Sequence, residues 1–207
     1  MKKKKAIVLF FFLAVTSLSI SAQQLKSTGI IVGAGSGHIS SDLPISPNGL
    51  TADKSNTHLN QKAVLDFGYR FRFEPRKTNF FYDIDLLGGY SKSEFAINYN
   101  STPNANYGSW EGHHHQLSVG IGATVNYKIV KGLSIGVGVQ PMVYLWETSH
   151  KVFDVPVVAK VGYDFHCFEL AFAYKQGLSK TYRIADFKSS RLSSWQFSVY
   201  IPLTKRH

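Results

Sequence analysis

The feature that most constrains this chain is a two-residue rhythm that returns along most of its length. In AVLDFGYRFRF, residues 63–73, every odd position is apolar or aromatic: Ala63, Leu65, Phe67, Tyr69, Phe71 and Phe73. The even positions include Asp66, Gly68, Arg70 and Arg72. Successive side chains of a strand point to opposite faces, so this stretch forms a strand with one greasy face and one charged face.

About eight segments share the rhythm: 29–39, 63–73, 80–91, 115–127, 133–145, 153–164, 168–177 and 195–203. The first sets Ile30, Val32 and Ala34 against Gly33, Gly35 and Gly37. The fourth sets Leu117, Val119 and Ile121 against Gln116, Ser118 and Gly120. None carries helical spacing over any length. Segments of 9–13 residues exceed the usual soluble strand of about 5–6. They match the ~9–11 tilted residues that cross a bilayer.

The connectors alternate in length. EPRKTN, KIVKG and FHC are tight, whereas residues 40–61, NYNSTPNANYGSWEGH and LSKTYRIADFKSSR are long and polar. Tight turns at one end and long loops at the other mark a barrel that spans a membrane. An even strand count closes it without a free edge, which hydrocarbon demands because it pairs with no backbone group. The expected fold is therefore all-β: an eight-stranded antiparallel up-and-down transmembrane β-barrel. The odd face of 63–73 meets lipid, and the even face looks into the lumen. Pro141 interrupts the fifth segment, and a bulge is expected there because proline cannot donate to a ladder. The basic tail after Leu203 leaves the end of the last strand open.

Residues 1–22 read as a signal peptide: Lys2–Lys5, then AIVLFFFLAV, then Ser21-Ala22 before Gln23. Residues 23–207 form the barrel domain. The formal charge is +10, and removing Lys2–Lys5 leaves about +6. With no recognition motif, that excess suits anionic lipid headgroups and gives no reason to invoke nucleic acid. The single cysteine, Cys167, excludes an internal disulfide.

An eight-stranded barrel is just wide enough for side chains to fill. The even faces place Asp66, Arg70, Arg72, Asp83, Asp85, Lys160, Glu169 and Lys175 inside, with Asp154 and Asp164. Charges of both signs out of water point to a lumen network of ion pairs. An ion path or a catalytic carboxylate pair is the sharper alternative. Of the HHH run, His113 and His115 share a face, and with His150 they are weak candidates for a metal. They define no zinc set, and no metal or cofactor is expected. Lys180, Arg183, Lys188 and Arg191 in the last long loop are candidates for contact with surface anions or lipid headgroups.

The Lys-rich signal ending SAQ, the GIIVGAGSG strand, the eight alternating segments and the closing YKQGLSK and WQFSVYIPL resemble small outer-membrane β-barrel proteins of the Bacteroidetes type, the PorT-like group. They are broadly similar to OmpA- and OmpX-like barrels. The resemblance implies an integral outer-membrane protein of Gram-negative bacteria, with outer-membrane lipid or lipopolysaccharide around it. An extracellular ligand or an envelope protein is an expected partner. The leading expectation is a non-enzymatic barrel serving surface interaction or envelope integrity. The alternatives are a lipid-modifying hydrolase or acyltransferase using His113, His114 or His150, and a soluble periplasmic lipocalin-like ligand-binding barrel.

Overall fold

The structure, a computed structural model, describes residues 23–42, 57–75, 78–98, 110–146, 151–179, 182–184 and 187–205. The expected signal peptide lies outside the described residues. Every regular element described is a strand: β1 Gln23–Ser40, β2 His58–Pro75, β3 Phe80–Ile97, β4 Trp110–Val130, β5 Leu133–Val139, β6 Met142–Trp146, β7 Lys151–Asp154, β8 Val157–Asp164, β9 Glu169–Gln176, β10 Tyr182–Ile184 and β11 Phe187–Lys205.

Eight staves form a closed ring, because β5 with β6 makes the fifth and β7 with β8 the sixth. All pairs are antiparallel neighbours in chain order. The ring closes where β1 pairs with β11, Ile30 opposite Ile201 and Ala34 opposite Phe197. The short β10 pairs only with the start of β11. The fold is the expected eight-stranded up-and-down barrel of the transmembrane type.

The faces are sorted as for a lipid-facing barrel. Leu65, Phe67, Val119 and Phe197 are 46%, 60%, 53% and 63% exposed, while Asp66 and Arg70 are 8% and 3% exposed. Phe80, Tyr127 and Tyr163 stand outward near the short turns, and Phe153, Tyr174 and Trp195 near the long connections. These are the two levels at which aromatic girdles sit in a membrane barrel.

The strands overrun the expected segments: β1, β2 and β3 have 18 residues each and β4 has 21. Backbone pairing continues into sequence whose polarity reads as loop, such as His58–Gln61 against Ser93–Ala96. KIVKG shrinks to a two-residue turn, Lys131-Gly132, with Gly132 at φ 84°. That positive φ is why glycine stands there. The last strand continues past Leu203 to Lys205.

The bulge expected at Pro141 is absent. Val139 pairs with Ala123 and Met142 with Gly120, so the register against β4 is unbroken. Against the sixth stave, Val139 pairs with Val157 and Met142 with Asp154, again in one register. Pro141 and Pro156 each keep the acceptor half of a ladder pair: Ile121 N donates to the Pro141 oxygen (3.0 Å) and Gln140 N to the Pro156 oxygen (2.8 Å). Two donors are lost and no residue is inserted, so the ladder is interrupted without changing which face each side chain takes.

A bulge does occur in β2, between Gln61 and Ala63. It flips the parity above it, turning Leu59 and Gln61 inward. Leu59 then joins Ile39, Phe95, Ile97, Met142, Tyr144 and Leu192 in an apolar cluster at the long-connection end of the lumen. This apolar upper lumen departs from the expected Gly-, Ser- and charge-lined interior.

β1 and β11 approach closely at Gly35. A Cβ there would overlap the Trp195 carbonyl oxygen and stand 2.8 Å from Gln196 Cα. Because the obstacle is backbone, Gly35→Ala is expected to lower stability by about 1–3 kcal/mol. The shift of a urea unfolding midpoint in lipid vesicles would measure it.

Candidate functional site

The register builds the centre of the lumen. Arg70 faces Asp85 and Arg72 faces Asp83 directly across β2 and β3. Opposed inward residues lie close enough for a two-pronged contact. Arg70 donates from Nε and Nη2 to Asp85 at 2.7 and 2.8 Å. Arg72 donates from Nε and Nη2 to Asp83 at 2.7 and 3.0 Å.

Glu169 reaches from β9 across the lumen to both arginines, accepting from Arg70 Nη1 at 3.3 Å and Arg72 Nη1 at 2.7 Å. Lys160 on β8 donates to Asp83 Oδ2 at 2.7 Å, and Asn126 Nδ2 on β4 donates to the same oxygen at 3.2 Å. The Tyr200 ring lies 5.2 Å from Arg70 and 5.1 Å from Arg72, and the Phe81 ring 4.4 Å from Arg72. Three cations and three carboxylates thus balance within one buried cluster contributed by β2, β3, β8 and β9. Removing a charge from water is costly unless a partner compensates it, and here every member has one.

Asp66 and Lys175 form a separate pair on the long-connection side of this cluster, Nζ to Oδ2 2.5 Å. Asp154 joins neither group. Its Oδ1 accepts from the backbone N–H groups of Val155, Leu178 and Ser179 at 2.8, 3.2 and 2.8 Å, tying down the chain after β9. Asp164, expected inside, is exposed at the short-turn mouth and accepts from His166 N at 2.7 Å. Two cavities of about 30 and 40 Å³ flank the Asp66–Lys175 pair, both touching Gln140 and Gln196. Each has room for a water or two and no more.

Sequence reading named the charged members but not Asn126, Tyr200 and Phe81 as their partners. The available signal was the parity of β4, β11 and β3, which points Asn126, Tyr200 and Phe81 inward. Which of the many inward residues reach the arginines depends on barrel curvature.

His113 and His115 point outward at the long-connection rim, whereas His114 turns toward Phe95, with ring centroids 6.1 Å apart. His113 Nδ1 lies 3.6 Å from Glu94 Oε1, and His115 Nδ1 lies 2.6 Å from the Tyr90 hydroxyl. Glu94 also meets Lys62 at 3.4 Å and Lys92 at 3.9 Å. His150 and Lys180 lie outside the described residues. Arg183 lies on β10 and Lys188 on β11, with only their backbone described. Arg191 is half-buried on β11 opposite Ser40. Of these four cations, only the Arg191 side chain is among the described residues. Among the described residues no three metal-ligating side chains converge.

No family model and no curated protein matches the chain. Solved structures match at the level of the barrel. Ail of Yersinia pestis, the attachment invasion locus protein solved with the heparin analogue sucrose octasulfate, is 13% identical, with TM-score 0.39, over 87% of this chain and 100% of that one. Neisserial surface protein A is 12% identical, with TM-score 0.39, over 84% and 96%. The outer-membrane protease OmpT of Escherichia coli is 10% identical, with TM-score 0.35, over 88% and 98%. At these values they are likenesses of architecture, and any statement about task rests on this chain's own residues.

Proposed function

We propose that the chain is an integral outer-membrane β-barrel of a Gram-negative envelope, exported by residues 1–22, of the Bacteroidetes PorT-like kind. It is non-enzymatic. Its long connections face the cell exterior for surface interaction or envelope integrity, and its lumen is closed by the charge network. The observation that carries this reading is the inverted solvent pattern: apolar side chains ring the outside and ionic ones are packed within. In water such an apolar girdle would be an aggregation surface. In hydrocarbon it is the solvated face, and closure leaves no backbone edge unpaired.

The same geometry speaks against a soluble carrier and against a catalytic carboxylate pair. A lipocalin-like carrier needs an apolar pocket of about 300 Å³ or more, whereas the mid-lumen cavities are about 30 and 40 Å³ and the larger space at the short-turn mouth is lined by charged side chains. A catalytic carboxylate pair needs a carboxylate free to take or give a proton, whereas Asp83, Asp85 and Glu169 are each engaged by cations. The test is fractionation with heat-modifiable gel migration. A detergent-resistant folded band in the outer-membrane fraction, together with protease cleavage of intact cells within residues 40–60, is the expected result. A chain released without detergent would overturn the reading.

A further inference from the structure

The short-turn mouth of the barrel opens into a polar vestibule that the charge network does not use up. One lobe, of about 460 Å³, is bounded by Lys128, Lys131, Asp164 and the floor residues Arg72 and Glu169. A second lobe, of about 170 Å³, shares Arg72, Lys128, Asp164 and Glu169 and adds Lys26, Lys205 and Glu74. Lys128 lines both lobes.

The charge count does not close there. Among the described residues, four lysines and Arg72 face Glu74, Asp164 and Glu169, an excess of two cations. Glu169 and Arg72 are already engaged with each other, and Lys128 is drawn to Glu74. Lys128 also stands within electrostatic reach of both Arg72 and Lys26. Like charges gathered on a concave, low-dielectric wall focus a positive potential. Solvation alone gives no reason to collect them there, since lysines spread over an open rim repel each other less. We propose that this vestibule binds a soluble anion carrying at least two negative charges, of the phosphate class, between Lys128 and Lys131 on one side and Lys26 and Lys205 on the other. The proposal rests on the barrel reading only in placing this mouth on the periplasmic side.

The test uses full-length mature protein folded in zwitterionic detergent at low salt, titrated calorimetrically with pyrophosphate. Saturable one-site binding that weakens as salt rises is expected. Lys128→Gln with Lys131→Gln, and separately Lys26→Gln with Lys205→Gln, should each weaken it about tenfold or more. Lys62→Gln with Lys92→Gln, at the other end of the barrel, should leave it unchanged. Heat-modifiable migration scores the folding of every variant, so loss of the folded band in the wild type would count against the barrel reading itself. A folded wild type without saturable binding, or wild-type affinity in both vestibule variants, would overturn the anion site. So would pyrophosphate affinity that is abolished in nanodiscs of anionic lipid, because headgroups would then be the occupant.

Discussion

Replacing Asp83 with alanine lowers the unfolding free energy of the barrel by about 3–5 kcal/mol, the cost of leaving buried cations without their counter-charge. Asp83 is the member with most to lose. Its two oxygens take both prongs of Arg72 and the Lys160 ammonium, and one also takes the Asn126 amide. Removal breaks the Lys160 ion pair and leaves Arg72 with Glu169 alone. Asp83→Asn keeps the shape and loses the charge, so it falls in the same direction. Glu94→Gln is the control. Glu94 sits on the outer rim with partners at 3.4–3.9 Å, where exposed pairs contribute no more than about 1 kcal/mol. Equilibrium urea unfolding from lipid vesicles, followed by tryptophan fluorescence, separates the two. An Asp83→Ala loss no larger than that of Glu94→Gln would mean that water reaches the cluster and screens it.

Val119→Arg tests the opposite face. Val119 points outward from β4 between Leu117 and Ile121, with Gly88 opposite on β3. If hydrocarbon bathes that face at mid-depth, an arginine there costs about 2–4 kcal/mol. If water does, an exposed Val→Arg change on a strand stays within about 0.5 kcal/mol. The gap between these outcomes is several times the uncertainty of a vesicle unfolding curve. The charge-conserving Lys128→Arg at the short-turn mouth should be nearly silent.

The solvent assignment was legible because period two survives wherever register is continuous. Leu65, Phe67, Val119 and Phe197 are outward and Asp66 and Arg70 inward, as the alternation alone dictates. Where register breaks, legibility ends. The β2 bulge beside Lys62 has no local sequence mark, and it alone turns Leu59 toward Ile39 and Leu192. Pro141 is the converse, a conspicuous residue whose expected distortion is absent, because Pro156 in the facing stave gives up a donor in the same way and both keep their carbonyl contacts.

For the site, Arg70 with Asp85 and Arg72 with Asp83 could be read as neighbours on adjacent strands. The reach of Glu169 could not, since it spans 97 residues of sequence to Arg72. It depends on curvature, which no local pattern encodes. The vestibule escaped for a related reason: Lys26, Lys128, Lys131 and Lys205 stand at the ends of different strands, and only ring closure gathers them.

The most direct measurement uses nitroxide labels at single cysteines in a Cys167→Ser background, with the protein reconstituted in vesicles. Labels at Phe67→Cys and Val119→Cys should collide freely with oxygen, which partitions into hydrocarbon, and be shielded from a water-soluble nickel chelate. Nickel-accessible, oxygen-poor labels at those two positions would contradict the account.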